Sequence, residues 1–230
     1  AYESYYNDHK HTNSPSIRDS SPVIILYPGV GMFSYAKNKQ TTRVASEFYI
    51  NAINVMRGSE AISSYTSLPR QEAFDIEYWL LEEAKLQRMP KEKSLSRKIA
   101  IVTGSGGGIG RAIADKLIAE GANVVFTDIS NDFLKEATAS YDTDQAIACN
   151  CDVTNKASID IAMQKASLQF GGVDIIVHSA GLAISKPIEE TTEKDWDLLQ
   201  NVLVKGQFLL AQSAISIFRK QNIGGNIVNI

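Results

Sequence analysis

The segment Ile99-Ala-Ile-Val-Thr103 runs directly into Gly104-Ser-Gly-Gly-Gly-Ile-Gly110, and an apolar-periodic helical stretch begins near Ile109. A strand that hands over to a helix through a loop this rich in glycine leaves few folds open. Such a loop lets backbone N–H groups approach an anion that a Cβ would hold off, and the helix dipole adds about half a positive charge at the same point. Gly104, Ser105, Gly106, Gly108, Ile109 and Gly110 are therefore read as a phosphate cradle.

Beyond the loop the pattern is a regular alternation. Strands are expected at Ile99 to Thr103, Asn123 to Thr127, Gln145 to Cys149, Val173 to His178 and Asn226 to Ile230. Between them come helices at Ile109 to Glu120, near Ser130 to Ser140, at Thr154 to Phe170 and at Thr192 to Phe218. Ile159, Ala162, Met163, Ala166 and Phe170 form one apolar stripe, and Thr192 with Asp195 reads as a capping box. Strands separated by helices of this length predict an α/β fold with a doubly wound parallel sheet covered on both faces.

Asp128 closes the second of these strands, 24 positions after Gly104 (128 minus 104). A carboxylate about 20 residues beyond the glycine loop accepts hydrogen bonds from a ribose diol and repels a 2′-phosphate. No Arg or Lys follows until Lys135, so the spacing favours NAD over NADP. Asp128 also suits a cap for the helix starting at Ser130, and the two roles are compatible.

TGSGGGIG, Asp128, the CDV of residues 151 to 153 and the AG of residues 180 to 181 together resemble the short-chain dehydrogenase/reductase family over roughly residues 96 to 230. The resemblance implies a Rossmann-like domain in which Asp128 and Ile129 flank the adenosine ribose, Asp152 and Val153 hold the adenine, and Ser179, Ala180 and Gly181 approach the nicotinamide ribose. It implies hydride transfer between NAD and a sugar-derived alcohol or aldehyde. Two departures stand out: His178-Ser179-Ala180-Gly181 replaces Asn-Asn-Ala-Gly, and Leu203 occupies the place of a helical asparagine, with Asn201 on another face. The family's serine and Tyr-x-x-x-Lys pair follow the fifth strand, in which the sequence ends at Ile230, so no catalytic residue is assigned and no turnover is expected from residues 1 to 230. Tyr6 with Lys10 and Tyr35 with Lys39 match the pair's spacing but precede the cofactor loop. A second expectation, from a different class, is an NAD-binding sensor or scaffold without turnover.

The first 89 residues read as a smaller α/β segment, joined by a polar linker at 90 to 98 to the domain at 99 to 230. Val23 to Tyr27 is a strand candidate, followed by the turn Pro28-Gly-Val-Gly31 and a helix with Val44, Phe48, Ala52 and Val55 on one face, which together predict a βα unit. A second helix is expected from about Arg70 to Gln87, while residues 1 to 21 suggest a surface segment. PVIILYPGVGMFSYAKN and EAFDIEYWLLEEAKLQR, placed before such a domain, resemble bifunctional proteins that fuse a class II aldolase to a short-chain dehydrogenase, of the rhamnulose-1-phosphate aldolase/alcohol dehydrogenase type. That implies a piece truncated at both ends. His9 and His11 have ligand-like spacing but sit in a polar tail, so they are read as solvated and no metal site is assigned.

A net charge of -3 supplies no basic field for nucleic acid. The longest strongly apolar run is read as Val23 to Tyr27, which falls far short of the roughly 20 residues of a membrane helix. Cys149 and Cys151, two apart, are poorly placed to bridge each other and are expected as reduced thiols. A cytoplasmic protein with a small-molecule substrate, no nucleic-acid or membrane partner and homo-oligomeric assembly is the expectation.

Overall fold

The computed structural model describes residues 1–230, which group into two units, Ala1–Lys91 and Glu92–Ile230.

In the first unit, helix α1 (Tyr2–His9) occupies the stretch expected to be an irregular surface segment. Tyr5 and Tyr6 pack at ring-centroid distances of 5.8 Å on Phe74, which stacks on Tyr78 at 4.6 Å. Strands β1 (Ile24–Tyr27) and β2 (Gly31–Ser34) form an antiparallel hairpin, with Tyr27 opposite Gly31, and helix α2 (Lys39–Ile62) follows. The expected βα unit is thus a hairpin and a helix: the Pro28–Gly31 turn reverses the chain, and Val30 N–H donates to Tyr27 O. The helix expected over 70–87 is two helices, α3 (Arg70–Glu77) and α4 (Leu80–Gln87). Phe74 and Tyr78, one turn apart, are both buried, and the chain leaves the helix immediately after them.

The second unit contains β3 (Ile99–Thr103), α5 (Gly108–Ala119), β4 (Asn123–Asp128), α6 (Asn131–Thr138), β5 (Ala146–Asn150), α7 (Lys156–Phe170) and β6 (Ile175–His178). It ends with α8 (Glu193–Leu199), a π-helical segment Gln200–Lys205, α9 (Gly206–Gln221) and β7 (Asn226–Asn229). The five strands form one parallel sheet in the order β5-β4-β3-β6-β7. Alternation along the strands divides the core in two. Ile99, Ile101, Val125 and Ile176 face α7 and α9, meeting Ile159, Met163, Leu210 and Ala214. Ala100, Val102, Val124 and Phe126 meet Ala114 of α5 and Leu134 and Ala137 of α6. Each such large apolar side chain contributes roughly 1.5–3 kcal/mol through burial.

Two findings bear on the sequence expectations. The stretch taken as a linker is docked from residue 93 onward: Lys93 Nζ donates to Ala119 O and Leu95 N–H to Glu120 O, with the Leu95 side chain on the core. The continuous run Glu193–Gln221 is far longer than the apolar Val23–Tyr27 segment and meets the length and composition of a bilayer-crossing helix, although Leu210, Ala214 and Phe218 on it are buried against the sheet.

The sheet order sets the place of any site. From β3 the chain winds outward through β4 to β5, returns through α7 to β6, and winds outward the other way to β7. Ligands of open α/β sheets bind where the winding reverses, outside the carboxyl ends of the strands, and in this sheet that crevice lies between β3 and β6.

Candidate functional site

Gly104, the first residue past β3, has φ +64°, a region costly for other residues, and a Cβ on it would lie 2.7 Å from Ala180 Cα. Glycine alone allows the β3 turn and the β6 turn to touch. A Cβ on Gly110 would overlap Gly104 O, so α5 starts hard against the loop. The N-cap of α5 is Gly107, with no side-chain cap, and the first-turn N–H groups face the loop without a side-chain acceptor. Such an end fits a bound anion. Ile109, on the first turn, is exposed.

Ser105 does not present its side chain to the crevice. Fully buried, it donates from Oγ to Val102 O at 2.9 Å and accepts the Thr127 N–H at 2.8 Å, stitching β3 to β4. Asp128 sits at the carboxyl end of β4. Its Oδ2 accepts the Gly106 N–H at 3.2 Å and its Oδ1 the Ser130 N–H at 3.0 Å. The cap of α6 itself is Ser130, whose Oγ accepts the Phe133 N–H. A carboxylate has about four acceptor positions, so Asp128 retains capacity for a diol. A Cβ on Gly106 would lie 2.6 Å from Phe133 Cβ, so glycine also lets α6 close on the loop. Ile129, beside Asp128, is 70% exposed, and its carbonyl accepts from Asn150 Nδ2 at 2.8 Å.

Past β5, Asp152 Oδ1 accepts both the N–H and the Oγ–H of Thr154 at 2.8 Å, which shapes the turn into α7. Val153 is buried in the core, where it seats Gly206. On the β6 side, Thr103 Oγ1 accepts the N–H groups of Ser179 at 3.1 Å and Ala180 at 3.0 Å, and contacts His178 Nδ1 at 3.1 Å. Burial holds the His178 pKa below the ordinary histidine range, opposed by the carbonyls of Leu203 and Val202. Leu203 Cδ2 lies 3.3 Å from where a Cβ on Gly181 would be, so the helix position that lacks the family's asparagine does reach the Ala180–Gly181 turn.

The glycine loop, Asp128 and the Ser179–Gly181 turn thus converge at the carboxyl ends of β3, β4 and β6. Sequence reasoning missed Thr103, Asn150 and Phe133, which arrange that convergence. Their signal was a polar residue closing an otherwise apolar strand in the first two cases, and none in the third. The remaining motifs lie in the first unit. Tyr6 and Lys10 form a cation–π contact, with Lys10 Nζ 5.5 Å from the ring centroid. His11 Nε2 is 2.8 Å from Asp75 Oδ1, and His9 Nδ1 is 3.1 Å from Gln71 Oε1, so both histidines have protein partners. The Pro28–Gly31 turn is spent on the hairpin.

The family model described as short chain dehydrogenase matches residues 98–230, and that described as aldolase class II, second domain, matches residues 1–86. Uncharacterized oxidoreductase YuxG of Bacillus subtilis (strain 168) is 38% identical over 231 residues, covering 99% of this chain and 33% of its own length. Uncharacterized oxidoreductase SA2266 of Staphylococcus aureus (strain N315) is 39% identical over 136 residues, 59% of this chain and 58% of its own. The chain therefore spans a third of the first relative and under two thirds of the second. Among solved structures, LigO in its apo form from Sphingobium sp. strain SYK-6 superposes with a TM-score of 0.56 at 32% identity, over 59% of this chain and 51% of its own. A short chain dehydrogenase from Bacillus anthracis str. 'Ames Ancestor' gives 0.56 at 28%, over 58% and 56%.

Proposed function

The chain belongs to the short-chain dehydrogenase family over residues 98–230, and on that premise we propose that it binds NAD and serves hydride transfer between NAD and a sugar-derived alcohol or aldehyde. The observation that carries the cofactor choice is the Asp128 carboxylate, held over the glycine loop by the Gly106 N–H. Its negative charge suits a ribose diol and disfavours a 2′-phosphate. The loop N–H groups and the start of α5 hold the pyrophosphate, Asp152 and Val153 line the adenine side, and the Ser179–Gly181 backbone meets the nicotinamide ribose. When bound, the nicotinamide supplies the centre that accepts or returns a hydride. The sugar-derived substrate rests on the aldolase-type match of residues 1–86. Calorimetric titration of Asp128→Ala checks the assignment: NAD affinity falls by roughly 1.5–3 kcal/mol, as for hydrogen bonds to a charged group, while NADP loses much less or gains. Equal losses for both cofactors reject it.

One observation favours a second reading for residues 1–230 taken alone, cofactor binding without turnover. The only tyrosine in the second unit is Tyr141, whose hydroxyl donates to Asp115 Oδ1 at 2.8 Å, on the α5–α6 face. NADH formation over a panel of sugar alcohols decides between the two. A cytoplasmic setting agrees with the two buried free thiols, of which Cys151 is pushed up to about 11 by burial. Assembly as a homo-oligomer draws on the exposed Phe208 and Ile215 of α9, and a stable monomer by light scattering removes that part of the proposal.

A further inference from the structure

Helices α5 and α6 both begin at the carboxyl edge of the sheet, and their first turns are finished in opposite ways. At α5 the cap is Gly107, which brings no side-chain acceptor, so the first-turn N–H groups stay available to a phosphate. At α6 the Phe133 N–H goes to Ser130 Oγ at 3.3 Å, and the Ser130 N–H goes to Asp128 Oδ1 at 3.0 Å. Asp132 adds a negative charge to the same turn. One end receives an anion; the other is capped by its own side chains and repels one.

Phe133 stands in the third position of α6 and is the largest apolar residue of that helix, yet it is 57% exposed while Leu134 and Ala137 fill the core. Its place is fixed by the loop. A Cβ on Gly106 would lie 2.6 Å from Phe133 Cβ and 2.9 Å from Asp128 Oδ2, so these two atoms flank one point and stand no further apart than those distances together. The Phe133 side chain therefore rises beside the carboxylate that suits the ribose diol. Ile129, next to Asp128 in the chain, is likewise exposed. Cations do not offset this apolar border: Arg111 of α5 is drawn to Glu136 at 3.6 Å and to Asp115 at 4.0 Å, and Lys135 stands in the last turn of α6.

A diol at Asp128 is neutral and tolerates an apolar neighbour. A phosphate on the 2′ oxygen carries about −1.5 to −2 charges near neutral pH and needs water, donors or a cation around it. Beside Phe133 it loses water on that flank without gaining a partner, and an ionised group desolvated without compensation is strongly disfavoured. We propose that Phe133 is a specificity-determining residue of the nucleotide site, an apolar wall beside Asp128 that turns away a 2′-phosphorylated nucleotide independently of the carboxylate's charge. This deepens the NAD reading and rests on it.

The test is calorimetric titration of the full chain with NADH and NADPH, which differ only in the 2′-phosphate, in wild type, Phe133→Ala, Asp128→Asn and the double variant, with thermal unfolding alongside. Phe133→Ala lowers the preference for NADH about tenfold, with the larger change on NADPH, which tightens. Phe133→Leu, which keeps an apolar body, lowers it by less than about threefold. The tenfold change recurs when Phe133→Ala is added to Asp128→Asn, because loss of water and charge repulsion act separately on the phosphate. Should Phe133→Ala fail to fold, Phe133→Gln replaces the apolar wall with a polar one and moves the preference in the same direction. A preference that Phe133→Ala leaves unmoved overturns the proposal while the Asp128 assignment stands. So does an equal loss for both nucleotides, which would make the ring a mere support of the loop, and so does a shift that vanishes in Asp128→Asn, which would leave charge as the sole cause. A wild type that binds NADPH as tightly as NADH, or binds neither, rejects the NAD reading itself and this inference with it.

Discussion

Helices α2 and α7 carry apolar stripes of similar spacing, yet they end in different surroundings. In α7, Ile159, Ala162, Met163 and Ala166 are all buried against the sheet. In α2, none of the 24 residues is buried, and Phe48 and Val55 of its stripe are 73% and 58% exposed. The first unit keeps only Phe74 and Tyr78 as buried apolar side chains, both around α1 and α3. A helical period shows that one face is apolar, whereas what covers that face is decided by partners distant in sequence. The second unit supplies those partners itself, because two layers of helices close on five strands.

The sharpest way to break this contrast is to truncate one side chain on each helix. Ile159→Ala is expected to cost roughly 2–5 kcal/mol, the range for a large aliphatic residue removed from a packed core. Phe48→Ala should fall within about 0.5 kcal/mol, as for exposed positions. Urea unfolding followed by circular dichroism checks both. A comparable loss in the two variants would mean that the α2 stripe is covered in solution, and the contrast would dissolve.

The same contrast explains how much was legible in the sequence. In the second unit the order of all five strands and their helices was readable, because each element alternates or repeats against a sheet that the same residues build. The placement of the glycine loop and Asp128 at the ends of β3 and β4 was readable because both fall within one strand–loop–helix–strand passage. The tie at Thr103 and His178 was not, since those residues stand 75 positions apart and meet only through the parallel register of β3 and β6. The π turn was equally hidden, because the apolar repeat from Trp196 to Ile217 runs through it without interruption. In the first unit, Tyr5 and Tyr6 of α1 read as polar residues until Phe74 and Tyr78 gave their rings something to pack on, while the Tyr2 ring meets Tyr5. The hairpin was hidden differently: Gly29, at φ +76°, turns the chain in open space, with nothing within 4 Å of a Cβ there, while Gly104 holds a similar φ for a close contact that only the folded sheet creates.

The smallest effect compares one acidic group from each unit. Asp75, on α3, is held below the ordinary carboxylate range first by His11 and then by Gln71, and His11 is 64 positions away in sequence. Asp195, at the start of α8, is lowered from 3.8 to about 2 by Lys186 first, whose Nζ is 2.7 Å from Oδ2, and then by the N–H and Oγ–H of Thr192. A folded-state pKa below the unfolded value means that the contribution is present above about 3.8 and is lost as the pH falls towards about 2. Lys186→Met should therefore raise the Asp195 midpoint towards 3.8 without reaching it, because the capping box with Thr192 remains, and it should leave Asp75 unmoved. Carboxyl ¹³C NMR titration reads both midpoints in one experiment. Because the pair with Lys186 is exposed to solvent, added salt should shrink the Lys186-dependent part of the shift while sparing the part due to Thr192. An Asp195 midpoint unchanged by Lys186→Met would assign the whole shift to the cap, and Thr192 would replace Lys186 as its leading cause.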